Sequence, residues 1–222
     1  MRVLRVLLVL LLAAGAFLFV YVVQWFRDRH ARGGPIPFSQ ARILEHPLRP
    51  LIHPVRSTLE KFRFKPGDTV LELGPGIGYF TVEACRMVGP EGRLLCLDIQ
   101  PPMIGALRGR LDERNVTNAH PMLADALSLP LADDSVDAAF LVTVLGEIPD
   151  RPQAMAELRR VLRPGGVLSI CESLRDPDYQ LEDSVRDLCR ATGFEVLGHS
   201  RQPLGYTMCF AAPPPTGSAG SA

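Results

Sequence analysis

The sequence predicts an α/β protein with a doubly wound, mostly parallel sheet of seven strands that ends in an antiparallel hairpin, preceded by one transmembrane helix. Three observations lead to this prediction. Short apolar runs alternate with segments of helical periodicity between residues 57 and 212. The last two runs are separated only by residues 203–205, a connection that requires antiparallel strands. An uncharged run of 18 residues, Val6–Val23, lies near the amino terminus.

The segment Val6–Val23 is long enough to cross a bilayer. As a helix it rises about 27 Å, at roughly 1.5 Å per residue, close to the ~30 Å hydrocarbon core. Tyr21 and Trp25 stand where an interfacial aromatic belt belongs. A cleaved signal peptide with its site at residues 14–16, or a buried core helix, are alternatives. The apolar run continues past that site, which favours an uncleaved anchor within residues 1–30.

The regions on either side of the central domain have distinct compositions. Residues 31–56 are predicted to be a juxtamembrane linker, with a short helix from Ser39 to Glu45. The catalytic domain is expected at 57–212, and residues 213–222 are predicted to be a disordered tail. A slight excess of basic residues after the apolar run places the carboxyl side in the cytoplasm.

The first half of the domain alternates strands and helices. Residues 69–74 (TVLELG) and 93–99 (RLLCLDI) are short apolar runs typical of buried strands. The segment 79–88 between them is a predicted helix, as is 101–113, which has proline in its first turn. A short third strand is predicted at 119–123.

The second half continues this alternation. The remaining strands are predicted at 136–144, 166–172, 194–201 and 205–212, and the remaining helices at 151–162 and 181–192. Ala154 and Leu158 belong to a stripe of helical spacing, and Gly193 ends the last helix. Such alternation predicts a parallel, doubly wound sheet.

A glycine-rich turn follows the first strand, in the sequence LELGPGIGYF of residues 71–80. Gly74, Gly76 and Gly78 allow a ligand to approach the backbone closely. Asp98 ends the second strand, 20 residues after Gly78, where an acid can accept both hydroxyls of a ribose. The turn and the acid therefore predict a nucleotide site at the carboxyl ends of the strands.

Two residues decide between NAD and S-adenosylmethionine. The dinucleotide pattern requires a third glycine at position 79, where this chain has Tyr79. Glu72 precedes the turn, and a carboxylate there repels a pyrophosphate but suits an ammonium or sulfonium group. The turn therefore favours S-adenosylmethionine.

From about Thr58 to Phe210 the chain resembles the class I S-adenosylmethionine-dependent methyltransferases, and most of all their ubiquinone-biosynthesis-like and type 11 small-molecule members. The resemblance rests on VLELGPGIG, LCLDIQPPMI, ADAL, VDAAFLVTVLGEIPD and LRPGGVLSICE, which occur in this order. It implies an enzyme with a Rossmann-like fold and S-adenosylmethionine as cofactor.

The resemblance also implies roles for individual residues in holding the cofactor. The implied contacts are Glu72 with the methionine amino group, Gly74, Gly76 and Gly78 with the methionine and ribose, Asp98 with the ribose hydroxyls, Ile99 and Met103 with the adenine ring, Asp125 with the adenine amino group, Ala126 beside it, and Val142 at the end of the fourth strand. Asp125 as a loop cap and Met103 as a core residue remain alternatives.

Candidates for the chemical step are fewer. Methyl displacement mainly needs alignment and desolvation, and a base is required only if the nucleophile must lose a proton. Glu147 follows the fourth strand and is the candidate catalytic residue, although it is equally suited to cap the helix that begins near Asp150. Glu172 is a second candidate, and Tyr206 either faces the acceptor or packs in the core.

The composition and the predicted anchor limit the classes of partner that are expected. The 24 basic and 24 acidic residues balance, which gives no electrostatic argument for nucleic acid. The five scattered cysteines form no C-x-x-C pair, so no metal is expected. A domain tethered to a membrane meets lipophilic acceptors there. The predicted function is methyl transfer to a lipophilic small molecule or lipid. The alternatives are an inactive methyltransferase-fold subunit and, with less support, an NAD-dependent oxidoreductase.

Overall fold

The computed structural model of the chain describes residues 15–17, 19–21, 34–39 and 54–213. The chain divides into two units, residues 1–33 and 34–222. In the first unit the described residues are helical and exposed. Within the described ranges, no helix has both the length and the apolar character that crossing a membrane requires.

Some of the segments predicted from the sequence lie outside the residues that the structure describes. The predicted anchor Val6–Val23 lies mostly outside the described residues, and so do most of the helix predicted from Ser39 to Glu45 and the tail that follows residue 213.

The described domain contains seven strands, five α-helices and one 3-10 helix. In chain order these are α1 (Val55–Leu59), β1 (Thr69–Leu73), α2 (Thr81–Val88), β2 (Arg93–Asp98), α3 (Pro101–Glu113), β3 (Ala119–Leu123), β4 (Val136–Val142), the 3-10 helix Leu145–Glu147, α4 (Arg151–Val161), β5 (Leu162–Ser173), α5 (Glu182–Ala191), β6 (Glu195–Gln202) and β7 (Gly205–Ala211).

The strands form one sheet in the order β3-β2-β1-β4-β5-β7-β6. Strands β1 to β5 pair in parallel, whereas β7 is antiparallel to both β5 and β6. The predicted seven-stranded, Rossmann-like sheet with an antiparallel terminal hairpin is therefore confirmed. The strand order reverses between β1 and β4, so their carboxyl ends form the crevice where such sheets bind ligands.

One strand differs from the prediction at its start. β5 begins at Leu162, opposite Val136, whereas the next pairing joins Ala138 to Val167. Four residues, 163–166, are thus accommodated as a bulge, and Gly165 within it has a φ of 75°. Their Arg-Pro-Gly-Gly sequence resembles a loop, which is why the predicted strand starts later.

Each face of the sheet is covered by its own helices. Leu71 and Leu73 on β1 pack on the side of α4 and α5. Val70, which directly precedes Leu71 and so points to the opposite face, packs against α1, α2 and α3. Because helices cover both faces, ligand access is left to the edge formed by the carboxyl ends of the strands.

Candidate active site

A pocket opens at the carboxyl edge of the sheet where β1 and β4 are neighbours. It brings together most of the residues predicted from the sequence: Glu72, Gly74, Gly76, Asp98, Ile99, Met103, Asp125, Val142 and Glu147. Gly78 and Ala126 do not line it. Gly78 is turned toward α3, where a Cβ would meet Leu107 Cδ1 at 2.6 Å, and Ala126 packs against the core under α4 and α5.

The glycine turn is shaped by close packing against the segment after β4. Gly74 has a φ of 69°, and a Cβ at this position would lie 2.5 Å from Val144 Cγ2. No side chain fits there without displacing a stiff, β-branched neighbour. The backbone therefore borders the pocket directly, as a ligand cradle requires.

Asp98 ties the glycine turn to the end of β2. Its Oδ2 accepts a hydrogen bond from the Gly76 amide at 3.2 Å, and its Oδ1 accepts one from the Gln100 amide at 2.9 Å. Burial raises the pKa of Asp98, and these amides oppose the increase. A carboxylate offers about four acceptor positions, so capacity for ligand hydroxyls remains.

Glu72 is buried at the carboxyl end of β1, beside the start of α2. Its Oε2 accepts a hydrogen bond from the Thr81 hydroxyl at 2.6 Å. Burial raises the pKa of Glu72 to about 7, with a smaller contribution from the negative charge of Asp98. A cationic ligand group beside it would favour the ionised form and release a proton on binding.

The charges in the pocket are of one sign. Four carboxyl side chains line it, those of Glu72, Asp98, Asp125 and Glu147, and the described lining residues include no Lys, Arg or His. A pyrophosphate would meet only like charge, whereas a ligand with ammonium and sulfonium groups would be attracted. The pocket therefore suits S-adenosylmethionine and disfavours a dinucleotide.

The residues implied for the adenine end differ in exposure. Ile99 is exposed beside the opening, whereas Met103 is buried against Ile77 and still lines the pocket. Met103 is thus both a core residue and a pocket residue. Asp125 is exposed and accepts a hydrogen bond from the Leu127 amide at 2.9 Å, so it caps its loop as well as lining the pocket.

Glu147 ends the 3-10 helix that follows β4 and reaches across to the segment before the domain. Its Oε2 accepts a hydrogen bond from the Ile36 amide at 3.2 Å. The alternative that Glu147 caps α4 is wrong, because Asp150 makes that cap by accepting from the Gln153 amide at 3.0 Å.

The other two candidates for the chemical step lie outside the described pocket lining. Glu172 on β5 and Tyr206 on β7 are directly opposite each other, and both are buried. The Tyr206 hydroxyl donates to the Gln180 carbonyl at 2.8 Å, so Tyr206 packs in the core. The Gln180 amide donates to Glu172 Oε2 at 3.4 Å, and burial raises the pKa of Glu172 to about 8.

Cysteine chemistry and metal binding gain no support from the structure. All five cysteines are free, buried and absent from the described pocket lining. Burial raises the pKa of Cys171 to about 11, so its thiol stays protonated at neutral pH. Among the residues that the structure describes, no group of His, Cys, Asp or Glu is arranged to hold a metal ion.

Sequence reasoning missed several residues that shape the pocket, and three of them take part in its hydrogen bonds. Thr81 binds Glu72 across nine positions, Gln100 follows Asp98 within the second motif, and Ile36 lies before the predicted domain. Only Gln100 could have been identified from the sequence, because it lies directly after the strand that carries Asp98. The contacts of Thr81 and Ile36 depend on tertiary structure.

Comparison with known proteins agrees with this geometry. Residues 70–166 match the family model described as "Methyltransferase domain". The chain is 34% identical over 142 residues to the ubiquinone/menaquinone biosynthesis C-methyltransferase UbiE of Teredinibacter turnerae, covering 64% of this chain and 57% of that protein. It is 35% identical over 114 residues to the arsenite methyltransferase of Halobacterium salinarum, covering 51% and 29%. The chain thus spans little more than half the length of the UbiE relative.

A solved structure shows the same fold. A methyltransferase from Aquifex aeolicus, described as dependent on S-adenosylmethionine, superposes with a TM-score of 0.73 and 24% identity, covering 80% of this chain and 98% of that one. The match over residues 70–166 shows a methyltransferase domain, and the solved structure shows the same fold.

Proposed function

We propose that this chain is an S-adenosylmethionine-dependent methyltransferase that acts on a lipophilic small molecule or lipid. We further propose that residues within 6–23 hold it at a membrane, with the catalytic domain facing the cytoplasm. The observation that carries the acceptor class is the distribution of exposed apolar side chains around the pocket.

Five of the seven large apolar side chains exposed between residues 54 and 213 lie at the carboxyl edge of the sheet. This apolar rim consists of Ile99, Leu123, Leu174, Leu181 and Leu204. The other two, Val196 and Leu197, lie near the start of the edge strand β6. Exposed apolar residues gathered at one edge indicate contact with an apolar ligand or a membrane.

The apolar rim flanks the pocket on both sides. Ile99 follows β2 and Leu123 ends β3, on one side of β1. On the other side Leu174 follows β5, and its amide donates to the Leu204 carbonyl in the hairpin turn at 2.9 Å. Leu181 directly precedes α5. A lipophilic acceptor would therefore meet apolar surface on either side of the pocket opening.

The comparisons and the sequence both support a lipophilic methyl acceptor. The UbiE relatives carry the name of a ubiquinone/menaquinone C-methyltransferase, and a quinone is the lipophilic acceptor that this name suggests. The uncharged run Val6–Val23 supports a position at the bilayer, where lipophilic acceptors are concentrated.

The pocket residues would bind and align the reactants. Glu72 would pair with the cofactor's amino group, Asp98 with its ribose hydroxyls and Asp125 with its adenine. The bound cofactor supplies a methyl group that is already activated by the positive sulfur. Val144 and Ile148 line the opposite wall with apolar surface, which excludes water and favours close alignment of the acceptor.

The deciding experiment uses the full chain in membranes with methyl-labelled cofactor and a lipid extract. The expected result is a labelled species that partitions into organic solvent and is identified by mass spectrometry. Label that appears only in water-soluble products would contradict the acceptor class. Cofactor binding without any labelled product would identify an inactive methyltransferase-fold subunit instead.

The apolar rim has a matched control within the chain. Leu174→Ser/Leu204→Ser is expected to raise the acceptor KM by about 3- to 10-fold, because apolar contact area is lost, and to leave cofactor affinity unchanged. Val196→Ser/Leu197→Ser changes two exposed apolar residues away from the apolar rim and should leave KM unchanged; Leu204 and Leu197 are each 41% exposed. Equal effects of the two double variants would refute a role for the apolar rim.

Membrane attachment and orientation need their own test. Carbonate extraction of cell membranes should leave the full chain in the pellet, and replacing Leu11 by Arg within the apolar run should release it, because a charge at a helix centre is costly in hydrocarbon. A carboxyl-terminal reporter should be accessible only from the cytoplasmic side. Extraction of the unaltered chain would contradict the anchor.

A further inference from the structure

A short segment that precedes the domain lies against the pocket. The strap, defined as Gly34–Ser39, contributes Pro35 and Ile36 to the pocket lining. Most of the remaining wall comes from the carboxyl ends of β1, β2 and β4 and the turns that follow them. The strap is therefore the part of the wall that is remote in sequence from the sheet.

One residue of the strap is hydrogen-bonded from both sides of the pocket. The Ile36 amide donates to Glu147 Oε2 at 3.2 Å, and the Ile36 carbonyl accepts from Gln100 Nε2 at 2.9 Å. Gln100 follows β2 and Glu147 follows β4, the two strands that flank β1. These two bonds fix the main chain of Ile36 between the two sides of the crevice.

The bonds that hold the strap continue into the cofactor cradle. The Gln100 amide donates to Asp98 Oδ1 at 2.9 Å, and the Gly76 amide donates to Asp98 Oδ2 at 3.2 Å. The strap is thus linked through Gln100 to the carboxylate that would hold the ribose. Two hydrogen bonds, one from Gln100 to Ile36 and one from Gln100 to Asp98, thus connect the strap to that carboxylate.

We propose that Gln100 and Glu147 are positioning residues that hold the strap against the cofactor pocket, and that Glu147 acts there as a hydrogen-bond acceptor and not as a base. The proposal rests on the assignment of this pocket to S-adenosylmethionine. Exchange of the cofactor then requires both bonds to Ile36 to break, so they slow its release. The Ile36 side chain meanwhile keeps that wall of the pocket apolar.

Glu147→Gln and Glu147→Leu separate the two roles of Glu147. Glutamine keeps an acceptor for the Ile36 amide but is no base, so it should retain kcat and the cofactor dissociation rate within about threefold. Leucine removes the acceptor and should speed dissociation by about tenfold. A kcat loss of about 100-fold in Glu147→Gln, with normal cofactor release, would establish a base and overturn the proposal.

Hydrogen exchange gives a readout that is independent of turnover. In the full chain without cofactor, the Ile36 amide should exchange slowly in the unaltered protein and in Glu147→Gln, and faster in Glu147→Leu. Equal exchange in all three proteins would refute the Glu147 contact. Cofactor dissociation and hydrogen exchange are both measured without an acceptor, so a failure to methylate lipids would reject the proposed function and leave these two results standing.

Gln100 has its own matched control. Gln100→Leu should speed cofactor dissociation about as much as Glu147→Leu, because the Ile36 carbonyl loses its donor. Gln153 makes the same kind of bond outside the pocket, from its side-chain amide to the Leu127 carbonyl at 3.2 Å. Gln153→Leu should leave dissociation unchanged. Equal dissociation rates in Gln100→Leu and Gln153→Leu would overturn the assignment of Gln100.

Discussion

Glu72 and Glu172 are buried glutamates near the carboxyl ends of β1 and β5, and they show how the two sides of this sheet differ. Their exposures are 3% and 2%, and burial raises their pKa values to about 7 and about 8. Glu72 lines the pocket and accepts a short bond from Thr81. Glu172 is outside the described lining, and among the described residues its Oε1 has no hydrogen-bond partner.

The comparison extends to the regions around them. The cofactor side, formed by β1, β2 and the glycine turn, holds a carboxyl group that a cationic ligand can ionise. The hairpin side, formed by β5, β7 and β6, packs its carboxyl group against Tyr206, outside the described pocket lining. We therefore expect equal burial to serve binding on one side and to carry only a stability cost on the other. Substitutions on the cofactor side should therefore impair binding, and those on the hairpin side should change stability.

The largest expected effect is that of Asp98→Ala on the cofactor side. The variant loses the acceptor for the ribose and also frees the amides of Gly76 and Gln100, so cofactor affinity should fall about 100-fold or more. Isothermal titration calorimetry with the full chain measures it. Asp112→Ala, an exposed aspartate on α3, is the control and should bind normally. Normal binding by Asp98→Ala would break the assignment of the cofactor side.

Gly74→Ala should have the next largest effect. Its φ of 69° disfavours alanine, and the added Cβ must displace Val144, which lines the pocket, so affinity should fall about tenfold. Gly165→Ala, at a φ of 75° with no atom within 4 Å of its Cβ, is the control for backbone strain. It should cost about 1–2 kcal/mol in urea unfolding and leave binding unchanged. Equal binding losses would contradict the role given to Val144.

The sequence predicted the fold better than it predicted the contacts of the site. Strands such as Arg93–Asp98 are short apolar runs with clear ends, so their limits are readable. Asp98 and the glycine turn are local motifs, and the structure brings them into one pocket. The bond between Ile36 and Glu147 joins residues 111 positions apart, and no local pattern specifies it. The apolar rim likewise depends on which strand ends share an edge.

Glu72→Gln tests whether the buried charge on the cofactor side serves binding. In the unaltered protein, affinity for S-adenosylmethionine should rise as the pH increases through about 7, because Glu72 must ionise to pair with the ammonium group. The variant should lack this rise and bind roughly tenfold more weakly at pH 8. Calorimetry between pH 6 and 8.5 checks it, over a range flanking the pKa.

The control for Glu72→Gln comes from the hairpin side. Glu172→Gln should keep the full pH dependence of binding, because Glu172 lies outside the described pocket lining. If both variants lost the dependence, the difference between the two carboxyl groups would disappear. If neither lost it, the pairing of Glu72 with the cofactor would be rejected.

The smallest expected effect on binding and turnover is that of Glu172→Gln, which should instead change stability. The pKa of Glu172 is higher in the folded chain than the ordinary 4.5, so its contribution to stability is complete below pH 4.5 and is lost as the pH rises through about 8. Glutamine stays neutral throughout. The variant should match the unaltered protein at about pH 4 and be more stable by about 1–3 kcal/mol at pH 8.5.

Urea unfolding of the full chain at the two pH values measures this gain. The amide oxygen of glutamine can still accept from the Gln180 amide, whereas its NH2 group must find an acceptor, which reduces the gain. Methyl transfer should change less than about twofold. A loss of stability at both pH values would show that the carboxyl group itself is needed for packing. A large fall in kcat would place Glu172 in the reaction and remove the distinction between the two sides of the sheet.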